Sequence, residues 1–239
     1  MKIEKGDKAT PWIPNLSDPE YTSLGLNDGI EYDVSGYKNH GTKTGTFSIS
    51  SDTARYASST VFDGNTYINT TNPLPNPCSQ FTVSAWVNLI EGYTANYGYH
   101  IIAYSAATYC RICVSKDNAA LRVLLRNDST NYSGSSTMTA SSLTANKWNH
   151  YAVTFDNGTI KIYINGELDN TLTASMTNVV FPSDTLTIGK HNSELPKAKV
   201  SDTRIYATAL TASQIIELYQ IPISLSRDGT LFATEFVEG

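Results

Sequence analysis

The sequence predicts an all-β fold: two stacked antiparallel sheets in a jelly-roll sandwich, with one short C-terminal helix. Three observations predict it. Apolar and polar residues alternate at period two over many short runs, Gly, Asn and Asp mark tight turns between those runs, and only one late segment carries helical periodicity. The clearest strand is Phe81-Thr-Val-Ser-Ala-Trp-Val-Asn-Leu89, in which Phe81, Val83, Ala85, Val87 and Leu89 form one apolar face. Arg111-Ile-Cys-Val-Ser115 and Leu121-Arg-Val-Leu-Leu-Arg126 pair as a hairpin across Lys116-Asp-Asn118.

Trp148-Asn-His-Tyr-Ala-Val-Thr-Phe155 and Thr159-Ile-Lys-Ile-Tyr-Ile164 join across Asp156-Asn157-Gly158, the strongest hairpin signal in the chain. Ile160, Ile162 and Ile164 then share a face. A tight turn at Asn165-Gly166 ends that strand, and Thr185-Leu-Thr-Ile-Gly189 and Val200-Ser-Asp-Thr-Arg-Ile-Tyr206 complete the series. The helix is predicted over 211–219. Thr211 caps its first turn, Gln214 stands at the reciprocal position, and Ile215, Ile216, Leu218 and Tyr219 make its apolar side.

The chain has 239 residues, of which 40% are hydrophobic and 16% charged, which suits one principal core rather than a disordered tail or two domains. Residues 28–220 read as that domain. Residues 1–27 are Pro-rich and aperiodic, a connector or the end of a preceding module, and 221–239 form a C-terminal extension. Both ends read as joints to neighbours, so the chain reads as one piece of a longer protein. A net charge of −5 lacks the basic stripe that nucleic acid requires. No apolar run approaches a membrane span, and the amino terminus has no signal-peptide core, so the chain reads as soluble.

Cys78, Cys110 and Cys113 cannot form a complete disulfide framework. The odd spacing of Cys110 and Cys113 in a strand puts their sulfurs on opposite faces, so they read as packing residues. The four histidines, His40, His100, His150 and His191, lack zinc spacing, and His150 reads as structural. Trp86 lies on the polar-labelled face of its strand. It is either an exposed sugar platform or, the favoured reading, a core residue covered by the second sheet.

An ordered set of motifs resembles the laminin G-like, concanavalin A-like family. It comprises Tyr32-Asp-Val-Ser-Gly-Tyr-Lys-Asn-His-Gly41, Val61-Phe-Asp-Gly64, Phe81-Thr-Val-Ser-Ala-Trp-Val87, Trp148-Asn-His-Tyr-Ala-Val-Thr-Phe-Asp156, Ile162-Tyr-Ile-Asn-Gly166 and Leu186-Thr-Ile-Gly189. The final strand and helix, through Tyr219, look like the family's closing signature. The flanks Lys2-Ile-Glu-Lys-Gly-Asp-Lys-Ala-Thr-Pro-Trp12 and Asp228-Gly-Thr-Leu-Phe-Ala-Thr-Glu-Phe236 are similar to segments of bacteriophage or prophage tail and minor structural proteins. That second resemblance implies a virion or extracellular surface location, other phage tail proteins as partners and a homo-oligomer.

The family resemblance implies a choice between sugar hydrolysis and sugar binding. Laminarinase-like members place carboxylates at alternating strand positions, and no Glu-x-Asp-x-Glu pattern exists here. The nearest approach is Glu167-Leu-Asp169, so the chain is read as a non-enzyme. The resemblance also implies a structural Ca²⁺ held by Asp33, Asp202 and carbonyls near Gly64. Against it, Ala198-Lys-Val-Ser-Asp202 departs from the family's Gly-x-Ile-Asp pattern, Asp33 reads equally as a turn stabiliser, and Asp202 as a partner of Arg204.

Sugar recognition needs aromatic faces beside amides, hydroxyls or carboxylates. The loop of residues 91–99 concentrates both, so Tyr93, Asn96, Tyr97 and Tyr99 are its candidate ligand contacts. The segments of residues 126–132 and 190–194 flank it in this reading and add Tyr132 and His191. Each loop reads equally as a solvated connection or a subunit contact. The expected function is therefore non-catalytic attachment of a phage tail protein to a bacterial surface glycan, the alternative being a structural spacer or assembly module.

Overall fold

The structure, a computed structural model, describes residues 29–31, 33, 37–52, 54, 59–90, 98–104, 110–114, 121–137, 146–193 and 196–220. In chain order its strands begin with β1 (Ile30–Glu31), β2 (Gly41–Thr44), β3 (Ser48–Ser50), β4 (Ser59–Asp63), β5 (Tyr67–Thr71), β6 (Gln80–Leu89) and β7 (Tyr99–Ala103). They continue with β8 (Arg111–Val114), β9 (Leu121–Arg126), β10 (Asn131–Ser135), β11 (Asn149–Asp156), β12 (Thr159–Ile164), β13 (Glu167–Thr173), β14 (Thr185–Ile188) and β15 (Lys197–Tyr206), and helix α1 (Ala212–Gln220) follows.

Two antiparallel sheets result, as the alternation predicts. One has eight strands in the order β1-β2-β5-β14-β7-β8-β9-β10, the other seven in the order β13-β12-β11-β6-β15-β4-β3. Residues one apart point to opposite faces, so Phe81, Val83, Ala85 and Val87 on β6 meet Tyr151, Val153 and Phe155 on β11 and Ile160, Ile162 and Ile164 on β12 in a single apolar layer. Ile68, Tyr99, Ile101, Ile112, Val123, Leu186 and Ile188 close that layer from the eight-stranded sheet. Removing such area from water supplies the main stabilisation, at about 25 cal/mol per Å² of apolar surface.

The turns follow their chemistry. Asn157 and Gly158 take φ of 45° and 96°, as do Asn165 and Gly166 at 54° and 83°, the double positive φ that a two-residue hairpin loop needs. Thr211 and Gln214 exchange their capping bonds, Gln214 N–H donating to Thr211 Oγ1 at 3.3 Å and Thr211 N–H to Gln214 Oε1 at 2.9 Å. Ile215 and Leu218 of α1 then pack with Ala152, Tyr163 and Tyr206 on the outer face of the seven-stranded sheet.

Edge strands β10 and β13 lie side by side and are sewn by side chains. Asn170 Nδ2 donates to Ser135 O at 3.0 Å, and Asp169 accepts Thr137 N–H at 2.6 Å. These bonds occupy polar groups that open sheet edges would otherwise present to other chains. Among the described residues, no helix is long and apolar enough to cross a membrane. The connector of residues 1–27, with Trp12, and the extension of residues 221–239 lie outside the described residues.

Candidate functional site

The register of the eight-stranded sheet decides which loops share an end. Ile188 of β14 pairs with Ile68 of β5, and Gly189 N–H donates to His100 O at 2.8 Å, so residues 190–193 stand beside the start of β7. Residues 91–97, which carry Tyr93, Asn96 and Tyr97, immediately precede that start and lie outside the described residues. Val114 of β8 pairs with both Tyr99 and Leu121, which fixes the same end for those strands.

The segment after β9 goes elsewhere. Asn127 N–H donates to Thr130 O at 2.9 Å in a turn that returns the chain into β10, and Arg126 O accepts Val180 N–H at 2.9 Å. This turn lies at the opposite end of β9 from Leu121. The expectation that residues 126–132 flank residues 91–99 is therefore corrected: strand direction separates them. Tyr132 is a half-buried β10 residue opposite Leu125, packed against the core rather than carried on a loop.

Tyr99 also requires correction. It is 0% exposed, with its ring 5.1 Å from Phe62 in an edge-to-face contact, and offers no face to a ligand. Burial pushes its hydroxyl well above the ordinary tyrosine range, reinforced by the charge of Glu31. The apolar run around it is a strand buried on both faces, which period-two alternation does not reveal.

His191 is buried too, and its role is to hold another side chain. Arg111 Nη1 donates to His191 Nδ1 at 2.5 Å, and the His191 and His100 rings lie 5.5 Å apart. On the same outer face Thr187 Oγ1 donates to Asn69 Oδ1 at 2.9 Å. Register connects these groups, because Asn69, Thr187, Ala103, Arg111 and Leu124 form one cross-strand row. At the rim Lys190 Nζ sits 4.0 Å from the centroid of the Tyr67 ring. The row escaped sequence reading because its members come from five strands and none repeats a local motif.

Asp33 and Asp202 are already engaged. Asp33 Oδ2 accepts Asn39 N–H at 2.9 Å, and Asp202 Oδ1 accepts Arg204 Nε–H at 2.7 Å. Asp202 sits where the β15–β6 register shifts, at a φ of 54°. Calcium wants six or more hard oxygens, and no group of three or more His, Cys, Asp or Glu side chains among the described residues is placed to hold a metal ion.

Two tryptophan-centred clusters lie on the seven-stranded sheet. Trp86, half-buried, packs 5.4 Å from both His150 and Tyr219. Its cover is helix α1, so the expectation of a second sheet over Trp86 is corrected. Trp148 precedes β11 and donates its Nε1–H to Asp52 Oδ1 at 2.9 Å, while Lys199 Nζ reaches Asp52 Oδ2 at 2.6 Å. Nothing local in the sequence announces that pairing across 96 residues.

The sequence matches the family described as the concanavalin A-like lectin/glucanases superfamily over residues 62–216, more than half of the chain. The chain belongs to this superfamily. Solved structures share its fold. Domain 4 of AbnA, a GH43 extracellular arabinanase from Geobacillus stearothermophilus solved in complex with arabinotriose, superposes with a TM-score of 0.61 at 24% identity, over 75% of this chain and 88% of that one.

The binding domain of Paraclostridial Mosquitocidal Protein 1 gives a TM-score of 0.63 at 15% identity, over 82% and 53% of the two chains. That of botulinum neurotoxin DC in complex with SialylT gives 0.61 at 20%, over 82% and 52%. The chain thus spans about half the length of these two toxin binding domains. No curated protein matches the sequence significantly.

Within this concanavalin A-like sandwich, Glu167 and Asp169 lie on edge strand β13. Thr137 donates its N–H to Asp169 Oδ2 at 2.6 Å and its Oγ1–H to Oδ1 at 2.9 Å. Those bonds make Asp169 part of the seam between the two sheets.

Proposed function

We propose that the chain is a non-catalytic carbohydrate-binding module that attaches a phage tail or receptor-binding protein to bacterial surface glycans. One observation carries the glycan reading: residues 190–193 stand at the start of β7, directly after the aromatic and amide residues Tyr93, Asn96 and Tyr97. Loops on a rigid sandwich are the common place for recognition. The neighbours support the same reading in kind, one solved with arabinotriose and another with SialylT. The phage setting is supported by the flanking segments alone.

The module contributes adhesion. A single shallow site of about 1 mM is worth roughly −4 kcal/mol, and repeated copies on an oligomeric fibre raise avidity by about 10² to 10⁴. Binding of the purified chain to an array of bacterial surface glycans, with a Tyr93→Ala/Tyr97→Ala variant alongside, tests this. Selective binding that falls at least about tenfold in the variant supports the reading. Equal binding by the two proteins removes the loop from the site, and a blank for both favours the structural spacer. Release of reducing ends from any polysaccharide overturns the non-catalytic part.

A further inference from the structure

We infer that Trp148, Asp52, Lys199 and Asn88, on the outer face of the seven-stranded sheet, form a subsite for the hydroxyl groups of a neutral saccharide. This rests on the glycan-binding reading and names the class of sugar taken. Register places the four together. Lys199 and Asn88 pair across β15 and β6, and the adjoining Val200 and Val87 face the core, so both polar side chains point outward. Trp148 precedes Asn149, the partner of Val87, and so continues the row of Lys199 and Asn88 onto β11. Ile90, two residues after Asn88, directly precedes residues 91–97, and its N–H donates to Lys197 O at 3.2 Å.

Asp52 touches the other three. Its Oδ1 accepts Trp148 Nε1–H at 2.9 Å, and its Oδ2 accepts Lys199 Nζ–H at 2.6 Å and Asn88 Nδ2–H at 3.5 Å. These bonds stay within the cluster and do not exhaust it. A carboxylate offers about four lone-pair positions and an ammonium three donors, so an acceptor position on Asp52 and two N–H groups on Lys199 are left over. Asp52 and Lys199 leave 50% and 26% of their side chains exposed, which keeps those groups within reach of a ligand. Bonds among the four also fix the groups before a ligand arrives, which lowers the ordering cost of binding.

Asn88 supplies an independent sign. It is 2% exposed, and among the described residues no donor reaches its Oδ1. A buried acceptor left without a donor costs free energy, which folding alone gives no reason to retain. A ligand hydroxyl provides the donor. Trp148 completes the set: its half-buried indole spends the in-plane N–H on Asp52, and no other ring lies against its faces among the described residues.

The pairing of groups sets the class of sugar. An indole takes the apolar face of a sugar ring, and a hydroxyl can donate to the Asp52 carboxylate while accepting from the Lys199 ammonium. Neighbouring hydroxyls of a neutral sugar use acceptor and donor together. A sialic or uronic acid gains no net charge attraction, because Asp52 already neutralises Lys199 and its own carboxylate would face that of Asp52. The chain's net charge of −5 adds to that exclusion.

The full chain is titrated by NMR with the neutral probes arabinotriose, maltotriose and lactose and the acidic probes 3′-sialyllactose and trigalacturonate. Wild type is compared with Asp52→Asn, Lys199→Gln and Tyr93→Ala/Tyr97→Ala. Wild type is expected to bind a neutral probe in preference to the acidic ones, with the Trp148 indole N–H resonance moving along the titration. Asp52→Asn and Lys199→Gln each weaken that probe at least about tenfold while the melting temperature holds. Neutral binding that both variants retain, with an unmoved Trp148 resonance, overturns the subsite and leaves the module reading standing. Preference of wild type for the acidic probes overturns the selection. Loss of binding in Asp52→Asn but not in Tyr93→Ala/Tyr97→Ala supports the subsite and removes the loop instead. No binding of any probe by wild type overturns the inference along with its premise.

Discussion

Tyr219 of α1 stacks on Trp86 of β6 with ring centroids 5.4 Å apart and planes 17° from parallel. The contact couples the last described helix to a central strand, because β6 hydrogen-bonds to both β11 and β15. Gly166 completes the fit: a Cβ there meets Tyr219 Cδ1 at 2.9 Å, at a backbone φ of 83° that already disfavours a side chain. Tyr219→Ala is expected to destabilise the fold by about 2 kcal/mol and to shift tryptophan emission to longer wavelength. Denaturant melts with an unchanged slope and a lower midpoint check it. An unmoved midpoint means that the helix is held by Ile215 and Leu218 alone.

Asp52 gathers Lys199 Nζ, Trp148 Nε1–H and, at 3.5 Å, Asn88 Nδ2–H. The Lys199 hydrogen bond first, then that of Trp148, holds its carboxyl below the ordinary 3.8. A depressed folded value means that the stabilisation is present above pH 3.8 and disappears as pH falls through the lower, folded value. Half of the Asp52 side chain is exposed, so screening keeps the pair at about 1 kcal/mol or less. Asp52→Asn is expected to change stability little at pH 7 and to flatten its dependence below about pH 4. Parallel acid titrations of the two melting curves would refute the assignment.

The fold was legible wherever a strand has one apolar face or ends in a turn with positive φ. Phe81 to Leu89, Asn157-Gly158 and Asn165-Gly166 are such cases, and of Cys110 and Cys113, both buried, only Cys110 joins the main apolar cluster. Strands β10 and β13 were not legible, because their stability comes from backbone pairing and cross-sheet bonds such as Asn170 to Ser135 O, and their side chains are mostly polar. The candidate site was less legible than the fold. Tyr99 looked like a loop aromatic because Tyr occurs in both settings, and only the register of β7 with β8 assigns it to the core.

The bond from Arg111 to His191 joins β8 to the segment after β14 in a buried setting. Removing the acceptor leaves a buried guanidinium with one bond fewer. His191→Ala is expected to cost about 1–3 kcal/mol, with a double-mutant cycle against Arg111→Met returning a coupling of at least about 1 kcal/mol. Additive single effects argue that the two side chains act independently.

Asp202 and Arg204 leave 4% and 11% of their side chains exposed, so breaking this pair removes an ionic contact from a charge with little access to water. Asp202→Asn tolerates the φ of 54° while removing the charge, and is expected to destabilise by about 3 kcal/mol. Because Arg204 occupies Asp202 Oδ1, EDTA and millimolar Ca²⁺ are both expected to leave the melting temperature unchanged. A rise with Ca²⁺ that Asp202→Asn abolishes would show that the aspartate serves a metal instead.

Cys78, Cys110 and Cys113 are all free and buried. Burial pushes the Cys78 thiol up to about 11 and the Cys110 thiol up to about 12, the second despite the opposing effect of Arg126. The thiolate is the reactive form, so at pH 8 very little of either exists in the native state. Ellman's reagent is therefore expected to label none of the three thiols in native protein and all three in guanidinium. Fast labelling of one thiol at pH 8 identifies a local opening, and mass spectrometry then assigns it. If that thiol is Cys110, the end of β9 opens without global unfolding, since Cys110 N–H donates to Leu124 O at 2.9 Å and its Sγ–H to Val180 O.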